Sequence, residues 1–204
     1  MAQDKHIRFD PNKHHRKSIR LPGYDYSQVD AYYVTIVTYQ RDCLFGDIVN
    51  KEMILNDLGK IAYECWRGIS EHFPFVELGA YVVMPNHVHG IIVIRAVESR
   101  SAIGTVDGGR GAALLRPYAR PDDNQNPHKI NVKPGSLGAI VRSYKSAVSY
   151  RIHKEHNATG IWQRNYYEHI IRDEKDLQNK TDYIEANPML WDEDDNNPRN
   201  NPLP

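Results

Sequence analysis

The run AYYVTIVTYQR (31–41), rich in Tyr, Val, Ile and Thr, predicts a first strand. Apolar residues then fall near helical spacing at Leu55, Leu58, Ile61, Ala62, Cys65 and Ile69, which predicts an amphipathic helix over 55–73. Two further strand-like runs, 75–84 and 87–95, flank Pro85-Asn86, a natural tight turn, so they predict a hairpin. Helical spacing returns through Leu137, Ile140, Val141, Tyr144, Val148 and Ile152, with Ser136 placed to cap a helix over 136–156. GIWQRNYYEHIIR (160–172) predicts a fourth strand. The segment 173–187 predicts a last helix, acidic at its start and stopped at Asn187-Pro188. The order of strand, helix, strand, strand, helix, strand, helix predicts an α+β fold, an antiparallel sheet with helices packed on one face.

Between the hairpin and the second long helix the pattern breaks. Residues 96–135 carry Gly108-Gly109, four prolines and no sustained period, too long for a simple connector in one domain. We therefore expect a basic arm over 1–22, a single domain over 23–191 with an insertion at 96–135, and an acidic, disordered tail over 192–204. No apolar run is long enough to cross a membrane, and the polar N-terminus lacks the apolar core of a signal peptide. Cys43 and Cys65 are too few for a disulfide scaffold, and a cytoplasmic protein is expected. The chain has no net charge, but its distribution is uneven: residues 97–165 hold eleven Lys/Arg against five acids, and 166–204 hold four against ten. Basic zones on a neutral chain fit a phosphate backbone and equally fit scattered solvated charge.

Candidate chemistry centres on MPNHVHGIIVI (84–94). On a strand, residues i and i+2 share a side, so His87 and His89 project together at a separation that suits two nitrogen ligands of one divalent metal. Val88 and Ile92, on the opposite side, would face the core. The last helix supplies further candidates in Tyr183 and Asn187, four apart and on one face. Asn187 offers a carbonyl oxygen suited to Mg2+ or Mn2+. On spacing alone, Tyr183 fits a packed core aromatic and Asn187 a helix C-terminal residue.

Three motifs in order, MPNHVHGIIVI, GIWQRNYYEHIIRD and DYIEANP, resemble the HUH single-tyrosine transposases of bacterial insertion sequences. Tyr-Ile followed by Asn-Pro is most similar to their domesticated relatives, the REP-associated tyrosine transposases. The resemblance implies a ferredoxin-like, RRM-like core. It also implies that His87, His89 and Asn187 hold a divalent metal, Mg2+ or Mn2+, and that Tyr183 is the nucleophile. DNA would be cut and rejoined through a 5′-phosphotyrosine link. The implied partner is single-stranded or hairpin DNA, and the implied assembly is either a homodimer or a monomer.

Flat rings and cations are the side chains that hold single strands. The candidates are Arg16, Lys17 and Arg20 near the start, Arg142 and Lys145 on the second long helix, and Trp162, Arg164 and Tyr166 on the fourth strand. Trp162 and Tyr166 also fit core or rim aromatics. His169 fits a structural hydrogen bond better than ligation. A histidine-triad hydrolase would need a third alternate histidine where Ile91 stands, and a cupin-like site would need an all-strand chain. The remaining rival is a non-catalytic protein that binds DNA and keeps only the fold.

Overall fold

The computed structural model describes residues 20–96 and 132–200. Arg16, Lys17 and nearly all of the 96–135 insertion lie outside the described residues. Among the described residues, a four-stranded antiparallel sheet runs in the order β4-β5-β1-β6. Its strands are β1 (Asp30–Val37), β4 (Val76–Val83), β5 (His87–Ile94) and β6 (Tyr167–Ile171). The helices are α1 (Asp57–Arg67), the single turn α2 (Ile69–His72), α3 (Leu137–His156) and α4 (Glu174–Ala186). Removing a small added hairpin, β2 (Gly46–Val49) and β3 (Glu52–Leu55), leaves the β-α-β-β-α-β order of a ferredoxin-like fold.

Alternation along the central strands sorts the side chains onto two faces. Tyr32, Val34 and Ile36 of β1 and Val88 and Ile92 of β5 point to one face, and they join Ile61, Trp66, Ile140, Tyr144 and Val148 in the main core under α1 and α3. Gly90 sits on this face because the Trp66 ring occupies the space: an added Cβ would fall 2.2 Å from the indole. The other face carries Tyr33 and Ile91, and Ile184 of α4 packs against them with Ile171. The helices thus divide between the faces, α1 to α3 on one and α4 on the other, where packing on one face was expected. The cause is the composition of α4, whose Ile184 is its single buried residue. The helix caps a small apolar patch and leaves the rest of that face to polar groups.

Ser136 caps α3 as expected, and the structure adds Asp173 as the cap of α4. The Ser136 hydroxyl accepts from the Ala139 amide at 3.3 Å, and the Asp173 carboxylate accepts from Asp176 at 2.8 Å. The predicted strand 160–172 shrinks to Tyr167–Ile171. Before it, Trp162 makes only an isolated bridge to Thr38, and Asn165 takes a positive φ of 71° that interrupts the ladder. The predicted helix over 55–73 breaks at Gly68 into α1 and α2.

The described part of the tail departs from expectation. Residues 192–200, read as disordered, are folded against the sheet. Trp191–Glu193 forms a 3-10 turn, the Asn196 amide donates to Asp194 Oδ1 at 2.6 Å, and Asn200 Nδ2 donates to the Asp192 carbonyl at 2.7 Å. Asn and Asp here cap backbone turns, a use of those residues that composition alone cannot separate from disorder.

Candidate metal and nucleophile site

β5 begins immediately after the Pro85-Asn86 turn, so its first two outward-facing residues on the α4 face are His87 and His89. Both are buried, with ring centroids 4.4 Å apart. Each ring is held by one nitrogen. His87 Nδ1 lies 2.8 Å from Asn86 Oδ1, and the Asn86 amide NH2 is committed to the carbonyls of Arg41 and Asn196 at 2.9 and 2.7 Å. Asn86 therefore presents an oxygen to His87, which must donate from Nδ1 and keep a lone pair on Nε2. His89 Nδ1 is held by the hydroxyls of Tyr33 at 2.7 Å and Thr35 at 2.9 Å. The Nε2 atoms of both rings are buried and have no hydrogen-bond partner.

α4 and the segment beyond it close the site. Asn187, at the C-terminus of α4, is 1% exposed, and its Oδ1 is a third buried atom without a partner. Its Nδ2 donates to Asp194 Oδ2 at 3.0 Å. Asp194 Oδ2 lies 3.9 Å from His87 Nε2, and one ligand atom from each of His87, His89 and Asp194 falls within 4.8 Å of the others. Buried polar atoms are almost always paired, so two bare imidazole nitrogens and a bare amide oxygen on residues gathered around Asp194 fit a cation. Burial pushes both imidazoles below their usual range, which keeps them neutral, the state in which imidazole binds metal.

Tyr183 lies on α4 one turn before Asn187. Its ring stands edge-on to His89 at 5.3 Å and to Tyr33 at 6.3 Å, and the residue is 40% exposed. Burial raises the phenol pKa, the charge of Asp194 adds to the rise, and the Asn187 amide opposes it. The hydroxyl is thus a poor nucleophile as it stands. One turn earlier on α4, Lys180 holds its ammonium 5.1 Å from the centre of the Tyr33 ring.

His87, His89, Tyr183 and Asn187 thus stand in one cluster with Asp194. No protein-family model matches the chain. An uncharacterized protein of Haemophilus influenzae is 40% identical over 187 residues, which span 92% of this chain and 96% of that one. A second protein of that organism, named "Putative REP-associated tyrosine transposase", is 28% identical over 165 residues, 81% of this chain and 73% of the other. The chain is a distant relative of this second protein and a nearer one of the first. A solved structure of a REP-associated tyrosine transposase bound to a REP hairpin shares the fold, with a TM-score of 0.51 at 18% identity over 84% of this chain and 73% of that one.

In this transposase-like chain the candidate DNA contacts assemble elsewhere. Arg142 and Lys145 of α3 and Trp162, Arg164 and Tyr166 of the segment before β6 line one groove of about 1140 Å³. Arg142 and Arg164 are exposed. Lys145 is largely used by the fold: its ammonium donates to the carbonyls of Gln163 at 2.7 Å and Asn165 at 2.9 Å, and burial lowers it to about 8. Trp162 Nε1 donates to the Lys145 carbonyl at 3.1 Å. Arg20 sits outside this set, stacked over Tyr166 at 4.8 Å and Tyr26 at 5.6 Å, with Glu168 4.0 Å away. His169 has the structural role expected, in a 2.7 Å contact with Asp176.

Sequence reasoning missed Asp194, Asn86 in its role of orienting His87, the Tyr33 and Thr35 hydroxyls, and Lys180. Tyr33 and Thr35 were findable, since cross-strand pairing of an alternating strand with the His-x-His strand puts hydroxyls beside a histidine. Asp194 lay hidden inside a run of acids and asparagines. Among the described residues, no helix is long and apolar enough to cross a membrane.

Proposed function

We propose that this chain is a metal-dependent enzyme that nicks and rejoins single-stranded or hairpin DNA, with Tyr183 as nucleophile. The observation that carries this reading is the set of three orphaned, buried lone-pair atoms, His87 Nε2, His89 Nε2 and Asn187 Oδ1, on residues gathered around Asp194 beside the part-exposed Tyr183. His87, His89 and Asn187 would hold a divalent cation, Mg2+ or Mn2+. Bound there, the cation supplies charge neutralisation at the scissile phosphate and lowers the cost of ionising a nearby oxygen.

The chain's own residues do the rest. The Tyr183 hydroxyl attacks phosphorus and loses its proton. The P–O3′ bond breaks, the 3′ oxygen gains a proton, and a 5′-phosphotyrosine remains. One phosphodiester replaces another, so a second 3′-hydroxyl can reverse the step and join a new strand without ATP. Only about one phenol in a thousand ionises at neutral pH, so an unaided tyrosine raised further by burial would be slow. Asn86, Tyr33 and Thr35 hold the imidazoles in the ligating orientation. On the α3 side, Arg142 and Arg164 would contact phosphates and the faces of Trp162 and Tyr166 would stack bases, with Lys145 strapping the loop that carries them. The solved relative's REP hairpin supports a hairpin as the DNA form.

Incubation with labelled single strands from the hairpin-rich flanks of its own gene, with Mg2+ or Mn2+, tests this reading. The expected result is a denaturant-resistant protein–DNA adduct, lost in Tyr183→Phe and in chelator. Tight binding with no adduct on any strand would favour a DNA-binding protein that keeps only the fold.

A further inference from the structure

The carboxylate of Asp194 has no place in the three-ligand reading, yet it lies inside the site. It is 7% exposed, although the four acids from Asp192 to Asp195 would ordinarily be a solvated run. Its Oδ2 faces His87 Nε2 at 3.9 Å. Because Asn86 fixes the His87 proton on Nδ1, no hydrogen lies between these two atoms. A lone pair and a carboxylate oxygen facing each other in a buried pocket repel, and a fully buried carboxylate without a cation is costly. The amide NH2 of Asn187 offsets part of that cost through its 3.0 Å bond, and Asn187 Oδ1 is itself buried without a partner.

We infer that Asp194 is a fourth metal ligand, delivered by the C-terminal segment, which completes a two-imidazole, one-amide, one-carboxylate set for a divalent cation. The inference rests on the reading that the histidine pair holds a metal. Two donors bound about 2.1 Å from one ion stand about 3 to 4.2 Å apart, and the 3.9 Å separation of His87 Nε2 and Asp194 Oδ2 lies in that window. The approach of the segment is anchored rather than incidental. Asn196 N donates to Asp194 Oδ1 at 2.6 Å, and the Asn196 carbonyl accepts from Asn86, the same residue that orients His87. One side chain therefore sets both the imidazole and the carboxylate. The Trp191 ring, 6.1 Å from His87, covers the site from the same segment.

The test is metal binding by the full chain, without DNA. Titration with Mn2+, followed by the loss of the free-ion electron paramagnetic resonance signal, gives the affinity. The visible d–d spectrum of Co2+ reports the ligand set. Asp194→Asn, close in shape, should bind Mn2+ about tenfold or more weakly and shift the Co2+ bands, while melting without metal at or above the wild-type temperature. Asp194→Ala should weaken Mn2+ further, and if that variant melts early the Co2+ spectrum of Asp194→Asn still decides. Unchanged affinity and an unchanged spectrum in Asp194→Asn, with binding lost in His89→Ala, would overturn the inference and leave the histidine site standing. No saturable Mn2+ or Co2+ binding by the wild type would overturn both.

Discussion

The two polar regions of this molecule treat their hydrogen-bonding groups in opposite ways. In the groove beneath α3 two polar side chains are spent on the fold: the Lys145 ammonium caps two carbonyls and the Trp162 indole donates to a third. On the α4 face the second nitrogen of each histidine is pinned by a neighbour, and the first is left bare in a buried pocket. A surface that binds a flexible polyanion can use exposed cations on a satisfied scaffold, because bulk electrostatics needs little precision. A site that holds one ion must aim lone pairs and forgo their protein partners. On the proposed reading, the α4 face would be the place for chemistry and the α3 groove the place for grip.

The comparison breaks first, if it breaks, at Tyr183. Tyr183→Phe should reduce strand cleavage by about four orders of magnitude or more while DNA affinity measured by fluorescence anisotropy stays at the wild-type value. A large loss of affinity would mean the ring is part of the grip instead. His87→Ala or His89→Ala should cost about a hundredfold or more in cleavage, matched by chelator on the wild type and with no further loss when the two are combined. Additive losses would show that the imidazoles act in some way other than through the ion. Tyr33→Phe removes one hydroxyl from His89 and should weaken Mn2+ about tenfold with little effect on folding, as calorimetry can show. The smallest effect belongs to the groove. Arg142→Ala combined with Arg164→Ala should weaken single-strand binding and flatten its log–log salt dependence by roughly 1.4, with cleavage at saturating DNA unchanged. A fall in cleavage that saturating DNA does not rescue would join the two regions into one site.

Much of this was legible in the chain because strand alternation is a strict period. His87 and His89 had to share a face, Val88 and Ile92 had to share the other, and all four do. Ser136 and Asn187-Pro188 marked helix ends by local chemistry that tertiary packing did not override. The β2–β3 hairpin escaped because its turn is made by Asn50 and Lys51, both at positive φ, without the glycine that usually signals such a turn. Arg142, Lys145, Trp162, Arg164 and Tyr166 do meet in one groove, but neither sequence nor spacing says that Lys145 is tied to backbone carbonyls. Asp194 was invisible for a deeper reason. Its burial depends on Asn86 receiving the chain at Asn196, a contact across 110 positions that no local pattern encodes.

The central claim, that Tyr183 carries the DNA strand, is tested most directly by locating the covalent bond. The trapped adduct, digested with nuclease and protease and read by tandem mass spectrometry, should place a nucleotide phosphate on the peptide containing Tyr183. A nucleotide found on another tyrosine, such as the exposed Tyr167 at the start of β6, would contradict the account.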